Sequence, residues 1–135
     1  MELSASKRHH LNAAEGWLDL DDPVEAAKEL DEIGIANQTH PQVLVLRCRL
    51  YLATHRAEYA YDIATTLTDQ LPEMADAWFY LACASARLGQ KGTTAAALKQ
   101  CFLVAGRDDT EVQWQARALA ARDLETYWCA SQIET

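Results

Sequence analysis

Apolar side chains recur three and four residues apart along most of the chain, and short polar or proline-containing stretches separate these runs. This spacing places the apolar residues on one face of an α-helix. The interruptions are Asp21-Asp22-Pro23, Gly34, His40-Pro41, Thr54-His55-Arg56, Leu71-Pro72 and Gly89-Gln90-Lys91-Gly92. Aspartate before proline suits a helix start, and the residue before a proline disfavours helix. The pattern predicts an all-α chain of about seven helices.

The same residue types return when the sequence is shifted by 34 residues. Units 7–40, 41–74 and 75–108 then align, and residues 109–135 remain as a tail. The eighth position holds Ala14, Cys48 and Ala82, and the twentieth holds Ala26, Ala60 and Thr94. Small residues at matching positions let two antiparallel helices approach closely. The repeat therefore predicts three helical hairpins that stack side by side in a single domain.

The tail has its own helical pattern. Its start is Asp108-Asp109-Thr110-Glu111, and its apolar stripe is Val112, Ala116, Leu119, Ala120 and Tyr127. Repeat arrays need a terminal element with one face in water. We therefore expect one long capping helix over 110–133.

Several stretches match a known repeat motif. They are Trp78-Phe79-Tyr80-Leu81-Ala82, the turn Leu88-Gly89-Gln90, the segment Leu20-Asp21-Asp22-Pro23-Val24-Glu25-Ala26, and Pro72 as the late proline. With the 34-residue unit, they make residues 7–108 resemble the tetratricopeptide repeat (TPR) family. The sequence departs from the motif at Thr94, where alanine is usual, and at Arg47, where leucine is typical. The resemblance implies a right-handed α-α superhelix of about three hairpins plus the capping helix, with a concave groove.

The resemblance also implies which residues face the groove. The candidate binding residues are Arg8, Leu11, Val45, Arg49, Leu52, Phe79, Arg87 and Arg117. The apolar members could accept a partner's apolar side chains, and the arginines could hold carboxylates. Two alternatives stay open, because Leu11 and Leu52 could pack under neighbouring helices and the arginines could be exposed without a partner. We expect charge reversal at Arg49, or Phe79→Ala, to weaken a partner without unfolding the protein.

One TPR subclass is not expected here. Some TPR proteins grip the acidic C terminus of a heat-shock chaperone with a lysine and asparagine clamp. The corresponding positions are Leu11, Glu15, Leu46, Asp76 and Tyr80. None provides a suitable cation or amide, and two carry the wrong charge.

Charge and cysteine content narrow the partners and the compartment. The 135 residues carry a formal charge of −8 at pH 7, so we expect no nucleic acid or anionic membrane as partner. No apolar run approaches the ~18 residues of a membrane span, and the N terminus lacks a signal-peptide core. The four cysteines form no CxxC pair. These features predict a cytoplasmic protein with reduced, buried thiols.

The sequence contains none of the common catalytic or metal-binding motifs. HExxH, P-loop, GxGxxG and GxSxG patterns are absent. His9 and His10 diverge by about 100° on a helix, and Cys48 and His55 lie two turns apart, roughly 10 Å. A zinc site needs about four close ligands. We predict no metal, no cofactor and no enzymatic activity.

The leading hypothesis is a non-catalytic adaptor that binds a protein or peptide in its groove. A second hypothesis is a structural or self-assembling subunit that associates through the C-terminal helix. It is motivated by Trp114, Tyr127 and Trp128, which cannot all face inward on one helix, and leftover apolar surface tends to mark an interface. A third is a small acidic TPR-like chaperone for another protein. The identity of the partner does not follow from the sequence.

Overall fold

A computed structural model describes residues 3–34 and 37–128, and in these residues the chain is helical with no strand. The helices are α1 (Ala5–Asp19), α2 (Pro23–Asp31), α3 (Pro41–Ala53), α4 (Ala57–Gln70), α5 (Ala75–Arg87), α6 (Lys91–Gly106) and α7 (Glu111–Ala120). A 3₁₀ turn at Arg122–Leu124 and helical residues 125–128 follow α7. The prediction of an all-α fold with about seven helices is confirmed. In the part of the chain that is described, no helix has the length and apolar content to cross a membrane.

The predicted interruptions coincide with helix ends. The Asp22 side chain caps α2 by accepting from the Glu25 N–H at 3.2 Å, and Pro23 is the first helical residue. The His40 Nδ1 atom accepts from the Gln42 N–H at 3.2 Å before Pro41 opens α3. Local capping chemistry therefore sets these two helix starts.

The turns inside the three hairpins repeat one geometry at a spacing of 34 residues. Asp21, His55 and Gly89 all adopt positive φ, at 59°, 61° and 77°. The N–H of the following residue bonds back five residues in each case: Asp22 to Trp17 at 2.8 Å, Arg56 to Tyr51 at 2.7 Å, and Gln90 to Ser85 at 2.9 Å. This is the hydrogen bond that closes a helix C terminus around a left-handed residue. The periodicity of the sequence is thus a periodicity of the backbone.

The hairpins pack through the small residues. The pairs are α1 with α2, α3 with α4, and α5 with α6, while α1, α3 and α5 also contact one another in order. All six small residues of the eighth and twentieth positions, Ala14, Cys48, Ala82, Ala26, Ala60 and Thr94, are completely buried. Their small volume is therefore used where helices meet, as the repeat pattern predicts.

The two departures from the repeat motif have polar partners. Arg47, on α3, donates to Asp31 at 3.1 Å and to Gln38 at 2.9 Å, which ties the link between the first two hairpins. Thr94 is buried in α6, where its hydroxyl lies 3.0 Å from that of Ser85 on α5. Each unusual residue is thus hydrogen-bonded within the fold.

The tail differs from the prediction of one long helix. The helix α7 ends at Ala120, because Ala121 is extended with ψ at 126°, and residues 129–133 lie outside the described part of the chain. The part of the predicted apolar stripe on α7 faces water, since Val112 is 75% and Leu119 is 68% exposed, whereas Tyr127 packs against the core. The break returns the chain to α5, where Leu124 becomes completely buried. The expectation of a single helix is therefore wrong at residue 121.

Candidate functional site

All eight predicted groove residues line two adjoining cavities. The smaller has a volume of about 320 Å³ and contains Arg8, Leu11, Val45, Arg49 and Arg117. The larger has a volume of about 710 Å³ and contains Arg49, Leu52, Phe79, Arg87 and Arg117. Arg49, Tyr80 and Arg117 line both cavities, which are therefore adjacent. We call the two cavities together the groove.

The apolar members form the base of the groove and are largely covered. Leu11, Val45, Leu52 and Phe79 are only 4–8% exposed. Leu11 and Leu52 therefore pack under neighbouring helices, which was one of the two open interpretations. Truncating a buried phenylalanine costs about 3–5 kcal/mol of stability. Phe79→Ala is therefore expected to destabilise the fold, and the variant is unsuitable as a test of binding.

Two of the groove arginines already hold carboxylates of the same chain. Arg49 donates to Asp19 at 2.8 Å, and Arg87 lies 3.2 Å from Asp123. Arg87 also donates to Nδ1 of His55 at 2.8 Å. Asp19 keeps 63% of its side chain exposed, and such pairs contribute about 0–1 kcal/mol. The Arg49 guanidinium can therefore exchange this carboxylate for another at little cost.

Arg117, from α7, is held by aromatic side chains. Its guanidinium carbon lies 4.7 Å from the centre of the Phe79 ring and 4.8 Å from that of Trp114. One of its nitrogens donates to the Tyr80 hydroxyl at 2.6 Å. Burial raises the pKa of Tyr80 to about 12, so this hydroxyl remains neutral at physiological pH. No carboxylate of the described residues forms an ion pair with Arg117, whose charge acts electrostatically on the Asp76 carboxylate of the same cavity.

Arg8 is the other predicted arginine of the smaller cavity. It has no ion pair or side-chain hydrogen bond to another described residue. Its side chain is exposed near the start of α1 and lines the smaller cavity. The groove thus has available guanidinium groups on both its first and its last helix.

The groove differs in charge from the rest of the protein. Its cations are Arg8, Arg49, Arg87, Arg117 and Arg122, and its carboxylates are Glu15, Asp21, Asp76 and Asp123. It therefore holds five of the twelve basic residues but only four of the twenty acidic ones. The surface outside the groove carries the whole of the net negative charge.

Two of the acids in the groove are partly desolvated. Burial raises the pKa of Asp76, while the Arg117 guanidinium opposes the rise. Burial likewise raises the pKa of Asp123, and Arg87 and His55 oppose it. The arginines of the groove thus offset part of the cost of burying these carboxylates.

Sequence reasoning identified Arg117 but missed two other charged residues that the tail contributes to the groove. Arg122 and Asp123 lie beyond the third unit, so no 34-residue spacing identifies them. The larger cavity reaches Arg122 and Asp123 only because the chain turns back at Ala121. Only tertiary packing could have located these residues, because their position depends on where Leu124 is buried.

The remaining reactive side chains lie apart from the groove or are deeply buried. Within the described residues, no three His, Cys, Asp or Glu side chains are grouped so that they could hold a metal ion. Cys48, Cys83 and Cys101 are buried and unpaired. Burial raises the pKa of Cys48 and of Cys101 to about 12 and raises that of Cys83 as well. These thiols are protonated and poor nucleophiles at neutral pH.

Comparison with known proteins provides no family assignment for the chain. No family model matches it, and neither the curated proteins nor the solved structures contain a match. The functional argument therefore depends on the residues and geometry described above.

Proposed function

We propose that the protein binds a peptide segment of a partner protein in the groove and acts as a non-catalytic adaptor. One observation carries the proposal: residues selected by the resemblance to the TPR motif, together with Arg117 of the tail, line two adjoining cavities. They come from α1, α3, α5 and α7, which are far apart in sequence. The recurrence of the hairpin turns supports the further proposal that the three hairpins are TPR-type repeats.

The size of the groove suits a peptide. Neighbouring helix axes lie about 8–10 Å apart, so four successive helices span about 25–30 Å. An extended peptide rises about 3.3 Å per residue, which corresponds to about eight residues across the groove. A ligand of this length would contact every helix that contributes an arginine.

The three buried, unpaired cysteines support a location for this binding. Free thiols persist in the reducing cytoplasm and are usually oxidised in secreted proteins. We place the adaptor in the cytoplasm on this basis.

Charge reversal at Arg49 tests the proposal against a matched control. Arg49→Glu and Arg107→Glu change the net charge equally, and each removes an ion pair with an exposed acid, Asp19 or Glu73. Only Arg49 lies in the groove. We expect affinity capture from source cells, quantified by mass spectrometry, to recover the same proteins with wild type and Arg107→Glu. We expect Arg49→Glu to lose at least one of them.

If the wild type, Arg107→Glu and Arg49→Glu capture identical sets of proteins, the groove is not the binding site. Thermal melts of each variant accompany the capture, because the comparison requires that Arg49→Glu remain folded. Loss of an exposed ion pair is expected to cost less than about 1 kcal/mol, so all three melts should agree within a few degrees.

Self-association through α7 is the second candidate function. Val112, Ala116 and Leu119 are exposed on one face of this helix, at positions four and seven residues apart. Three side chains present much less than the roughly 1,000 Å² of a specific interface. Sedimentation at micromolar concentration separates the ideas, since a dimer disrupted by Leu119→Glu would favour self-assembly and a monomer would favour the adaptor.

A further inference from the structure

The aromatic setting of Arg117 makes it unlike the other arginines of the groove. Stacking on Phe79 and Trp114 and the hydrogen bond to Tyr80 hold the guanidinium in one orientation. An arginine fixed before binding loses little conformational freedom when it meets a ligand. Its planar fork suits a carboxylate, which accepts two parallel hydrogen bonds. Arg117 therefore has the features of a preorganised anion anchor.

The carboxylates that pair with two of the groove arginines indicate which kind of anion the groove accepts. Asp19 and Asp123 place carboxylates on Arg49 and Arg87, two arginines that line the larger cavity together with Arg117. Glu15 and Asp76 line the same small cavity as Arg117, and their charges disfavour a doubly charged phosphate more than a single carboxylate. The net charge of −8 of the whole chain also repels a nucleic-acid backbone. Carboxylate is the chemistry that fits.

We propose that the groove binds acidic peptides, with Arg117 holding a carboxylate side chain and the larger cavity taking an apolar side chain of the same peptide. This inference rests on the proposed function and names its ligand class. The larger cavity supplies the apolar contact, because Leu52 and Phe79 lie in its wall beside Arg117. Arg8, which also lines the smaller cavity, binds a second carboxylate.

The tail completes this site. Arg117 and Trp114 belong to α7, whereas the Phe79 ring and the Tyr80 hydroxyl that contact the guanidinium come from α5. A peptide bound to Arg117 consequently contacts both the third hairpin and the tail. The three repeats alone would lack the anchor.

An array of random octapeptides tests the ligand class directly. We expect peptides retained by the wild-type protein to be enriched in Asp or Glu together with Leu, Phe or another large apolar residue. Arg117→Met keeps an unbranched chain over the rings but removes the charge and the donors. Arg107→Met removes the same charge outside the groove and serves as the matched control. Enrichment should persist for Arg107→Met and disappear for Arg117→Met.

Fluorescence polarisation with the best acidic octapeptide then measures the size of the effect. Replacing its Glu or Asp residues with Gln or Asn leaves the protein untouched, and we expect affinity to fall about tenfold or more. Arg117→Met should cause a similar fall, and Arg117→Lys, which keeps charge but not the fork, an intermediate one. Arg8→Met provides a second groove variant that disturbs no aromatic contact.

The outcomes distinguish this inference from the proposed function. Retained peptides without acidic bias, whose binding still falls on Arg49→Glu, would overturn the acidic ligand class and leave the adaptor in place. No retained peptide at all would contradict both. Equal affinity of the acidic and amide peptides would show that Arg117 holds no carboxylate.

Discussion

The buried pair of Ser85 and Thr94 offers a quantitative test of how the third hairpin accommodates its departures from the repeat. Ser85 occupies the position where the other units have Trp17 and Tyr51, and Thr94 replaces the small apolar residue of those units. Both side chains are completely buried, and their hydroxyl oxygens lie 3.0 Å apart. The perturbation is a double-mutant cycle of Ser85→Ala, Thr94→Val and both changes together.

The geometry predicts a strong departure from additivity. After Thr94→Val, the Ser85 hydroxyl still reaches the Leu81 carbonyl at 2.8 Å. After Ser85→Ala, the Thr94 hydroxyl still reaches the Gln90 carbonyl at 2.9 Å. Each single variant therefore loses one buried neutral hydrogen bond, which costs about 1 kcal/mol. The double variant also loses the remaining carbonyl bond, but it leaves no buried hydroxyl that needs a partner. We therefore expect a total cost of about 1–1.5 kcal/mol and a coupling energy of about 0.5–1 kcal/mol.

Urea denaturation followed by tryptophan fluorescence measures these differences, and a 1 kcal/mol change corresponds to about 3–5 °C in Tm for a chain of this size. Thr65→Val is the matched control, since the Thr65 hydroxyl makes a similar bond to the Tyr61 carbonyl at 2.8 Å but is exposed. Water can replace that bond, so the control should change stability by less than about 0.5 kcal/mol. Additive costs near 2 kcal/mol in the double variant would refute the reasoning, because they would mean that the two hydroxyls act independently.

Two further predictions concern the turns and the thiols. Gly89→Ala should lower stability by about 1 kcal/mol, because φ at this residue is +77°. Gly92→Ala lies in the first turn of α6 with no atom near the added Cβ, and it should raise stability by about 0.5–1 kcal/mol. Urea midpoints of the two variants that move in the same direction would contradict this. At pH 8 a thiol with a pKa of about 12 is ionised in about one molecule in 10⁴, so Ellman's reagent should label Cys48 and Cys101 only after denaturation. Rapid labelling of two or more thiols per native chain would show that the burial is wrong.

Most of the hairpin architecture follows from local signals in the sequence. Pro23 and Pro41 open helices where their fixed φ suits the first turn, and Asp22 and His40 cap them. The turn at His55 is harder to predict, because a left-handed residue that is not glycine is unfavourable by itself. Its position follows instead from the 34-residue spacing to Asp21 and Gly89. The 34-residue periodicity thus predicts the position of this turn, which local conformational propensity does not.

The positions of the groove residues follow from the resemblance to the TPR motif, but their burial does not. The resemblance places Arg49 and Phe79 on one surface without showing that Phe79 is buried while Arg49 remains available. Exposure depends on the neighbouring helices, and the helix beside Phe79 belongs to the tail. Sequence reasoning therefore identified the surface and misjudged which of its members can be changed safely.

The end of α7 at Ala120 shows why the rest of the site could not be predicted. Residues 110–128 contain neither glycine nor proline, so local propensity favours one continuous helix. Interrupting a helix forfeits a few hydrogen bonds of about 1 kcal/mol each. Burying Leu124 completely returns about 1.5–3 kcal/mol, and the Trp128 indole regains a bond to the Ala118 carbonyl at 3.1 Å. These opposing free-energy terms are nearly equal, so tertiary contacts to α5 determine whether the helix ends at Ala120. Because the end of α7 at Ala120 brings Asp123 to Arg87, packing at the end of the array determines which residues line the groove.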